Sequence, residues 1–324
     1  WLNKIDALYV NIFGEATTTS VARTALGAVG LTGNETVAGI KTFSSDQVIN
    51  GIEIGRGGGS IASNTVFGDT ALDSNTTGVN NVAIGQNALT ANTTADNNTA
   101  IGQNALTANT TGFANTAVGS ASLDSNTTAN DNVAIGVLAL QTNSTGSYNT
   151  AVGNSTLAAN TTGPNNTAIG YSSGNTLTTG SNNTLLGNGA APSVVTVSNE
   201  FTLGNASIAT LRCQVTTITA LSDRRDKKDI SDLPLGLDFI NALRPVKFTW
   251  ARRDGTKEGV QEAGFIAQEL DEVQLAWHAE DYLNLVLKNN PEKLEAAPGK
   301  LLPILVKAIQ ELRAEFYAYK LSHP

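Results

Sequence analysis

Glycine recurs at positions 68, 85, 102, 119, 136, 153, 170, 187 and 204, every 17 residues, nine times without a slip. The residue before each is apolar: Phe67, Ile84, Ile101, Val118, Ile135, Val152, Ile169, Leu186 and Leu203. Four positions before the glycine stands Asn in every case from Asn64 to Asn183, with Glu200 as the exception. Four positions after it stand Leu72, Leu89, Leu106, Leu123, Leu140 and Leu157, and then the pattern fades. A flexible Asn/Thr/Gly-rich linker needs no such register. A fixed period of this length is the mark of a solenoid, whose units bury their apolar faces by stacking.

The unit reads N-[VT]-A-[IV]-G, then x-x-x-L, then N-T-T-G or a close variant. That order suits a short strand, a glycine-permitted bend, a second short apolar segment and a turn. Gly, Asn and Thr are poor helix formers, so a helical solenoid is disfavoured. With strands about 4.8 Å apart, nine coils make a rod roughly 40 Å long. Each unit offers about two large apolar side chains and one or two Ala. That supply is too small for a core closed within one chain, so the expectation is that several chains share the axis.

Charge divides the chain. Of 20 basic residues only Lys4, Arg23, Lys41, Arg56 and Arg212 precede position 222, and none lies between Gly57 and Leu211. The remaining 15 fall between Arg224 and Lys320, so an ordinary mixed-composition domain is confined to the last third. A formal charge of −8 argues against nucleic acid as the main partner. The single cysteine, Cys213, excludes an internal disulfide framework and a Cys-clustered metal site. No run approaches the ~20 apolar residues of a membrane span, and no signal-peptide pattern is present. The absence of Met and the first residue, Trp1, predict that the chain is a segment of something longer.

The N-[VT]-A-[IV]-G units over about 64–204 resemble the head repeats of trimeric autotransporter adhesins and similar repeats in phage tail fibres. The resemblance implies a β-roll trimer, although 17 residues is longer than the adhesin-head period. Upstream, Thr36–Phe43 reads T-V-A-G-I-K-T-F and resembles a recurring tail-fibre linker; a short strand and turn of no special meaning fits equally. Trp1–Phe13 has apolar residues spaced for a short helix or strand.

Immediately after the rod comes Leu221-Ser222-Asp223-Arg224-Arg225-Asp226-Lys227-Lys228-Asp229-Ile230. By itself this reads as a solvated charged loop, or as a Ser N-cap opening a helix. The pattern S-D-x-R-x-K-x-x-I resembles the start of the C-terminal intramolecular chaperone of phage tailspikes and endosialidases, self-cleaving peptidases with a Ser/Lys dyad. Ser222, Asp223, Arg225, Lys227 and Ile230 fall on that pattern, whereas Asp226 stands where an apolar residue is expected. Leu243–Trp250 (L-R-P-V-K-F-T-W), Gly264–Leu270 (G-F-I-A-Q-E-L) and Leu302–Leu312 (L-P-I-L-V-K-A-I-Q-E-L) match further phrases in the family's order.

The resemblance implies cleavage of the Leu221–Ser222 bond, with Ser222 as nucleophile, Lys227 as general base and Asp223 orienting the loop. A free lysine is almost wholly charged at pH 7, so it needs burial or neighbouring cations to act as a base. Arg224, Arg225 and Lys228 are at hand to act that way; Asp223, Asp226 and Asp229 oppose them. Cleavage that waits on desolvation of Lys227 would report completed folding.

Leu302, Leu305, Ile309, Leu312, Phe316 and Tyr319 recur at spacings of 3, 4, 3, 4 and 3, an a/d seam. Lys307, Gln310, Glu311, Arg313 and Glu315 lie outside it, and Pro303 fits a first helical turn. A helix packed on its own domain is the alternative, and the heptads alone do not choose between two strands and three. The trimer follows from the resemblance and from the rod's small supply of apolar side chains.

Other candidate sites are weak. His278, with Glu280 and Asp281 nearby, lacks a second His or Cys for a metal. The G-R-G-G-G of Gly55–Gly59 lacks the phosphate-binding signatures and reads as a turn at the foot of the rod. The rod's carboxylates, Asp69, Asp73, Asp96, Asp124, Asp131 and Glu200, offer only Asp69/Asp73 and Asp124/Asp131 near each other in sequence, which makes a glycosidase pair improbable. The many N-x-T triplets resemble glycosylation acceptors, but turns have their own use for Asn and Thr.

The expected architecture is therefore a mainly β trimeric repeat solenoid followed by an α+β chaperone domain ending in a coiled-coil helix. Its parts are a fibre linker or shaft at 1–60, a β-solenoid of about nine coils at 61–221, and an autoproteolytic intramolecular chaperone at 222–324. The expected function is that of a phage tail fibre, in the virion tail, whose chaperone directs homotrimerisation and is then released. Expected partners are two further copies, a host cell-surface receptor such as a glycan, and other tail proteins through the missing N-terminal part; no cofactor, metal, nucleic acid or membrane insertion is expected. The rivals are a bacterial trimeric autotransporter-like adhesin, which predicts a membrane-anchor barrel, and the distal part of a tailspike depolymerase with its catalytic domain upstream. A membrane-bound transcription factor with the same self-cleaving domain needs a basic DNA-binding region, and residues 57–211 have no basic residue.

Overall fold

A computed structural model describes residues 46–50, 52–208, 222–251, 258–292 and 294–323. The expectations for Trp1–Phe13 and Thr36–Phe43, and Leu221 itself, lie outside them. An antiparallel pair, β1 (Gln47–Ile49) and β2 (Ile52–Gly55), leads into β3 (Thr65–Phe67). From there three-residue strands recur at the glycine period: β4 (Val82–Ile84), β5 (Thr99–Ile101), β6 (Thr116–Val118), β7 (Val133–Ile135), β8 (Thr150–Val152), β9 (Thr167–Ile169), β10 (Thr184–Leu186) and β11 (Phe201–Leu203). Each pairs in parallel with the next at an offset of 17, as in Ala83↔Ala100 and Ala100↔Ala117. Nine parallel strands thus mark about eight turns of a β-solenoid.

The strand triplet explains which way each side chain points. Successive residues of a strand face opposite ways, so in V-A-I or T-A-V the small central Ala goes inside and its larger neighbours go out. Ala83, Ala100, Ala117, Ala134, Ala151 and Ala168 are fully buried, while Ile101, Ile135 and Ile169 remain about 40% exposed. The inner volume is completed by Leu72, Leu89, Leu106, Leu123, Leu140 and Leu157 and by a second small row through Ala71, Ala88 and Ala105, all at 0% exposure. Each such Leu contributes about 2 kcal/mol by burial.

Two buried Asn rows flank that core. Along the first, Asn81 N–H donates to Asn64 Oδ1 (2.9 Å) and Asn81 Nδ2 to the Ala95 carbonyl (2.8 Å), and the motif repeats through Asn98, Asn115, Asn149, Asn166 and Asn183. Along the second, Asn92 Nδ2 donates to Asn75 Oδ1 (3.1 Å), Asn109 to Asn92 and Asn126 to Asn109. A buried amide is tolerated because its partners are supplied by the adjacent coils. The asparagines of the N-T-T triplets belong to this second row, so burial closes them to glycosylation.

The periodic glycines have a steric cause. A Cβ at Gly119 would lie 2.4 Å from the Gly136 carbonyl oxygen, and φ there is 139°. Coils touch backbone to backbone at that corner, and only glycine fits. The core leucines also sit in the left-handed region, Leu72 to Leu157 at φ between 50° and 53°, held there by bonds such as Leu89 N–H to Ala105 O at 3.0 Å.

One expectation needs correction. The apolar core of the rod closes within a single chain, because close-set coils need only one Leu and small residues per layer, with the Asn rows doing the rest. The residues before the glycines, which hydrophobicity alone assigns to the core, face outward. A shortage of core therefore gives no reason for chains to share the axis.

The C-terminal region builds a separate core. It comprises α1 (Leu237–Ala242), the antiparallel pair β12 (Val246–Thr249) and β13 (Gln261–Gly264), α2 (Ala267–Ala276), α3 (Glu280–Leu283), the pair β14 (Val286–Leu287) and β15 (Glu295–Ala296), and α4 (Leu302–Ser322). Leu235, Phe239, Leu270, Leu283, Leu285, Leu301 and Ile304 form its buried centre, with Trp277 edge-on to Phe239 at 5.8 Å. Gly236 precedes α1 without a capping side chain, so Glu311 of α4 supplies the cap, its Oε2 accepting from Leu237 N–H at 2.7 Å. Buried Gln274 accepts from Leu285 N–H at 2.9 Å and donates to Asp271 Oδ1 at 2.8 Å.

Candidate active site: the Ser222–Lys227 junction

Asp223, rather than Ser222, is the cap. Its carboxylate accepts from Arg225 N–H at 2.8 Å and opens a 3-10 turn over Arg224–Asp226. The turn reverses the chain enough for Lys227 to come back to Ser222: Lys227 Nζ donates to Ser222 Oγ at 2.6 Å. The two residues that the motif singles out thus meet through five residues of local chain, with no help from distant elements.

Asp223 is doubly used. Arg225 Nε and Nη2 also reach its carboxylate, the closest contact being 2.6 Å. Hydrogen bonds from the Arg225 side chain, then from its backbone, hold the Asp223 carboxyl below the usual carboxylate range, and the same pairing raises the Arg225 guanidinium. Arg225 pairs with Asp223, and among the described residues Lys227 has no carboxylate partner. The spacing carried a signal for this, since a cap residue and the second residue after it face each other across the first turn. Every residue from Ser222 to Asp232 is exposed in the single chain.

The remaining sequence candidates do not assemble with the Ser222–Lys227 pair. His278 follows α2 at φ 48°, and Glu280 and Asp281 open α3. No group of three His, Cys, Asp or Glu able to hold a metal occurs among the described residues. Gly57–Gly59 form the turn at the foot of the rod, where Gly58 N–H donates to the Leu72 carbonyl at 2.9 Å. Asp69 and Asp73 lie near Glu53, whose carboxyl is pushed up by burial first and by Asp46 second. No helix of the described residues is long and apolar enough to cross a membrane.

The a/d seam is where the helix says least about its own domain. Only Ile304 and Ala308 of α4 are buried, and they face the core, whereas Leu302, Leu305, Ile309, Leu312, Phe316 and Tyr319 are all exposed, at 42–65%. From Leu312 to His323 no residue is covered.

No curated protein and no solved structure matches the chain. Residues 222–278 match the sequence model of the family described as the chaperone of endosialidase, beginning at Ser222. That match, following a β-solenoid, fits a phage tail fibre or tailspike-type protein with a C-terminal chaperone.

Proposed function

We propose that the chain is the distal part of a homotrimeric phage tail fibre, carried in the virion tail, whose last third assembles the trimer and then cuts itself away between Leu221 and Ser222. The observation that carries this reading is the 2.6 Å Ser222–Lys227 contact at the first residue of the chaperone match. In the proposed step Lys227 takes the Ser222 hydroxyl proton and Oγ attacks the Leu221 carbonyl carbon. Lys227 returns the proton to the departing Ser222 nitrogen, and water then hydrolyses the ester, leaving a carboxylate on Leu221. Asp223 and Arg225 hold the turn that sets the distance.

A lysine in open water is charged at neutral pH and is no base. The proposal therefore assigns its desolvation to assembly, which makes cleavage a consequence of correct association. Two surfaces support association of like chains. The uncovered half of α4 is a stretch too short to hold a helix well in water alone, and its apolar seam suits neighbouring copies. The rod adds an outward apolar row, one residue per coil from Phe67 to Leu203, with no cation between Gly57 and Leu211 to interrupt it.

Attachment to a host surface is the proposed use of the mature rod, with other tail proteins joined through the part that precedes it. Intact-mass measurement tests the cleavage step. Wild-type protein is expected as two fragments ending at Leu221 and starting at Ser222, and Ser222→Ala and Lys227→Ala as single uncut chains. A Lys227→Ala protein cut as completely as wild type contradicts the assigned base.

A further inference from the structure

One edge of the rod departs from its own repeat in a confined place. The corner just before each strand carries Asn80, Asn97, Asn165, Asn182 and Asn199, residues suited to the left-handed backbone found there. In three consecutive coils the row instead reads Ala114, Asp131 and Tyr148, with φ values of 55°, 56° and 62°. The adjoining row, otherwise Val79, Asp96, Asn130, Ser147, Pro164, Ser181 and Ser198, places Phe113 beside Ala114. Phe113 and Tyr148 are 46% and 63% exposed, although a rod of this kind needs no aromatic there for its core.

The backbone ties these residues into one patch. Asp131 N–H bonds the Phe113 carbonyl at 3.2 Å, and Tyr148 N–H bonds the Asn130 carbonyl at 3.1 Å. Phe113 and Tyr148 therefore stand two coils apart, about 10 Å along the axis at the usual strand spacing. In the coil between them lies Asp131, whose carboxylate accepts no bond from the described residues, and Ala114 beside Phe113 adds little bulk. Tyrosine in the left-handed region carries a conformational cost that Asn at the same corner avoids. At Asn80 and Asn182 the side chain also donates to the next coil's Asn, at 3.2 and 2.8 Å, a bond that Tyr148 forgoes. A strained and exposed aromatic that folding does not require points to a ligand.

We infer that Phe113, Ala114, Asp131 and Tyr148 form a saccharide-binding subsite for a neutral hexose or N-acetylhexosamine chain lying along the rod. The aromatic faces would stack on the apolar sides of two sugar rings, and Asp131 would accept from hydroxyl groups. With Asp96 and Asp131 nearby and no cation in residues 57–211, an acidic polysaccharide is disfavoured. The inference deepens the host-attachment reading and rests on it for its biological sense.

Calorimetric titration of the expressed protein with maltotetraose, chitotetraose and tetragalacturonate tests it. Saturable binding of a neutral oligosaccharide is expected, weakened at least tenfold by Phe113→Ala and by Tyr148→Ala and largely kept by Tyr148→Phe. Tyr148→Asn is expected to lose binding while raising the thermal midpoint of the rod, a combination that a merely structural tyrosine does not give. No binding of either neutral sugar, preference for the acidic one, or binding that survives both alanine substitutions overturns the subsite. Adsorption to bacterial envelopes separates the two readings: a double alanine variant that adsorbs like wild type removes the subsite and leaves attachment. Wild type that binds sugar but no envelope removes attachment and leaves the subsite.

Discussion

Gly119 shows how a single hydrogen in place of a methyl group decides the register of the rod. Gly119→Ala places a Cβ 2.4 Å from a backbone oxygen of the next coil, which cannot move without displacing the coil after it. The expected cost is about 2–4 kcal/mol, read as a drop in the thermal midpoint. The periodic glycines are legible in the sequence, because a steric rule repeats without exception. The Asn rows are legible as a pattern but not as a buried network, since Asn in turns and Asn in ladders look alike in sequence. The inward Ala is harder to read, because hydrophobicity favours its larger neighbours as core, whereas strand alternation leaves room inside for the small residue alone.

Where the repeat decays, the structure compensates within one coil. Gly174 replaces the core Leu and Leu177 replaces the ladder Asn, while Leu185 stands where earlier coils carry the inward Ala and, with Leu157, reaches into the space beside Gly174. The exchange leaves Asn160 Oδ1 buried without a donor, the amide that would have supplied one being gone. Leu177→Asn restores that donor but removes a fully buried leucine, an expected loss of about 2–3 kcal/mol. Leu185→Ala is expected to empty the layer at Gly174 at a similar cost, and adding Gly174→Leu to recover most of it; failure to do so contradicts the compensation.

In the C-terminal region α2 is linked through Asp271 to Lys288, the residue that follows β14. Burial pushes its carboxyl up, but hydrogen bonds from Lys288 and Gln274 outweigh it, and the net displacement is downward from 3.8. A carboxylate depressed in the folded state stabilises it fully above its ordinary value and loses that contribution as pH falls through the folded value. Thermal midpoints of wild type and Lys288→Met are therefore expected to converge below about pH 3.8. A difference that stays constant with pH contradicts the coupling. The elements here are legible in part: the seam on α4 follows from its 3–4 spacing, while the Glu311 cap of α1 is invisible in sequence because it joins positions 74 apart. The Ser222–Lys227 pair lies at the opposite extreme, its five-residue contact being readable from local spacing and a resemblance together.

For the whole molecule, the closed core of the rod shifts the weight of the oligomer argument. The solenoid satisfies its own interior, so the proposed association would cover outward rows and the uncovered half of α4, not complete a deficient core. Ile309→Asp places a charge on the exposed seam and leaves Ile304 and Ala308 in place. It is expected to abolish trimer formation in light scattering and, with it, cleavage at Ser222, while the rod's circular dichroism is unchanged. A variant that remains monomeric yet is cut in full separates cleavage from assembly and contradicts the link between them.

Native mass spectrometry of the freshly expressed chain tests that link most directly. The expected spectrum contains three copies of the piece ending at Leu221, with the piece beginning at Ser222 released. A single uncut monomer, or monomeric cut fragments throughout expression, contradicts it.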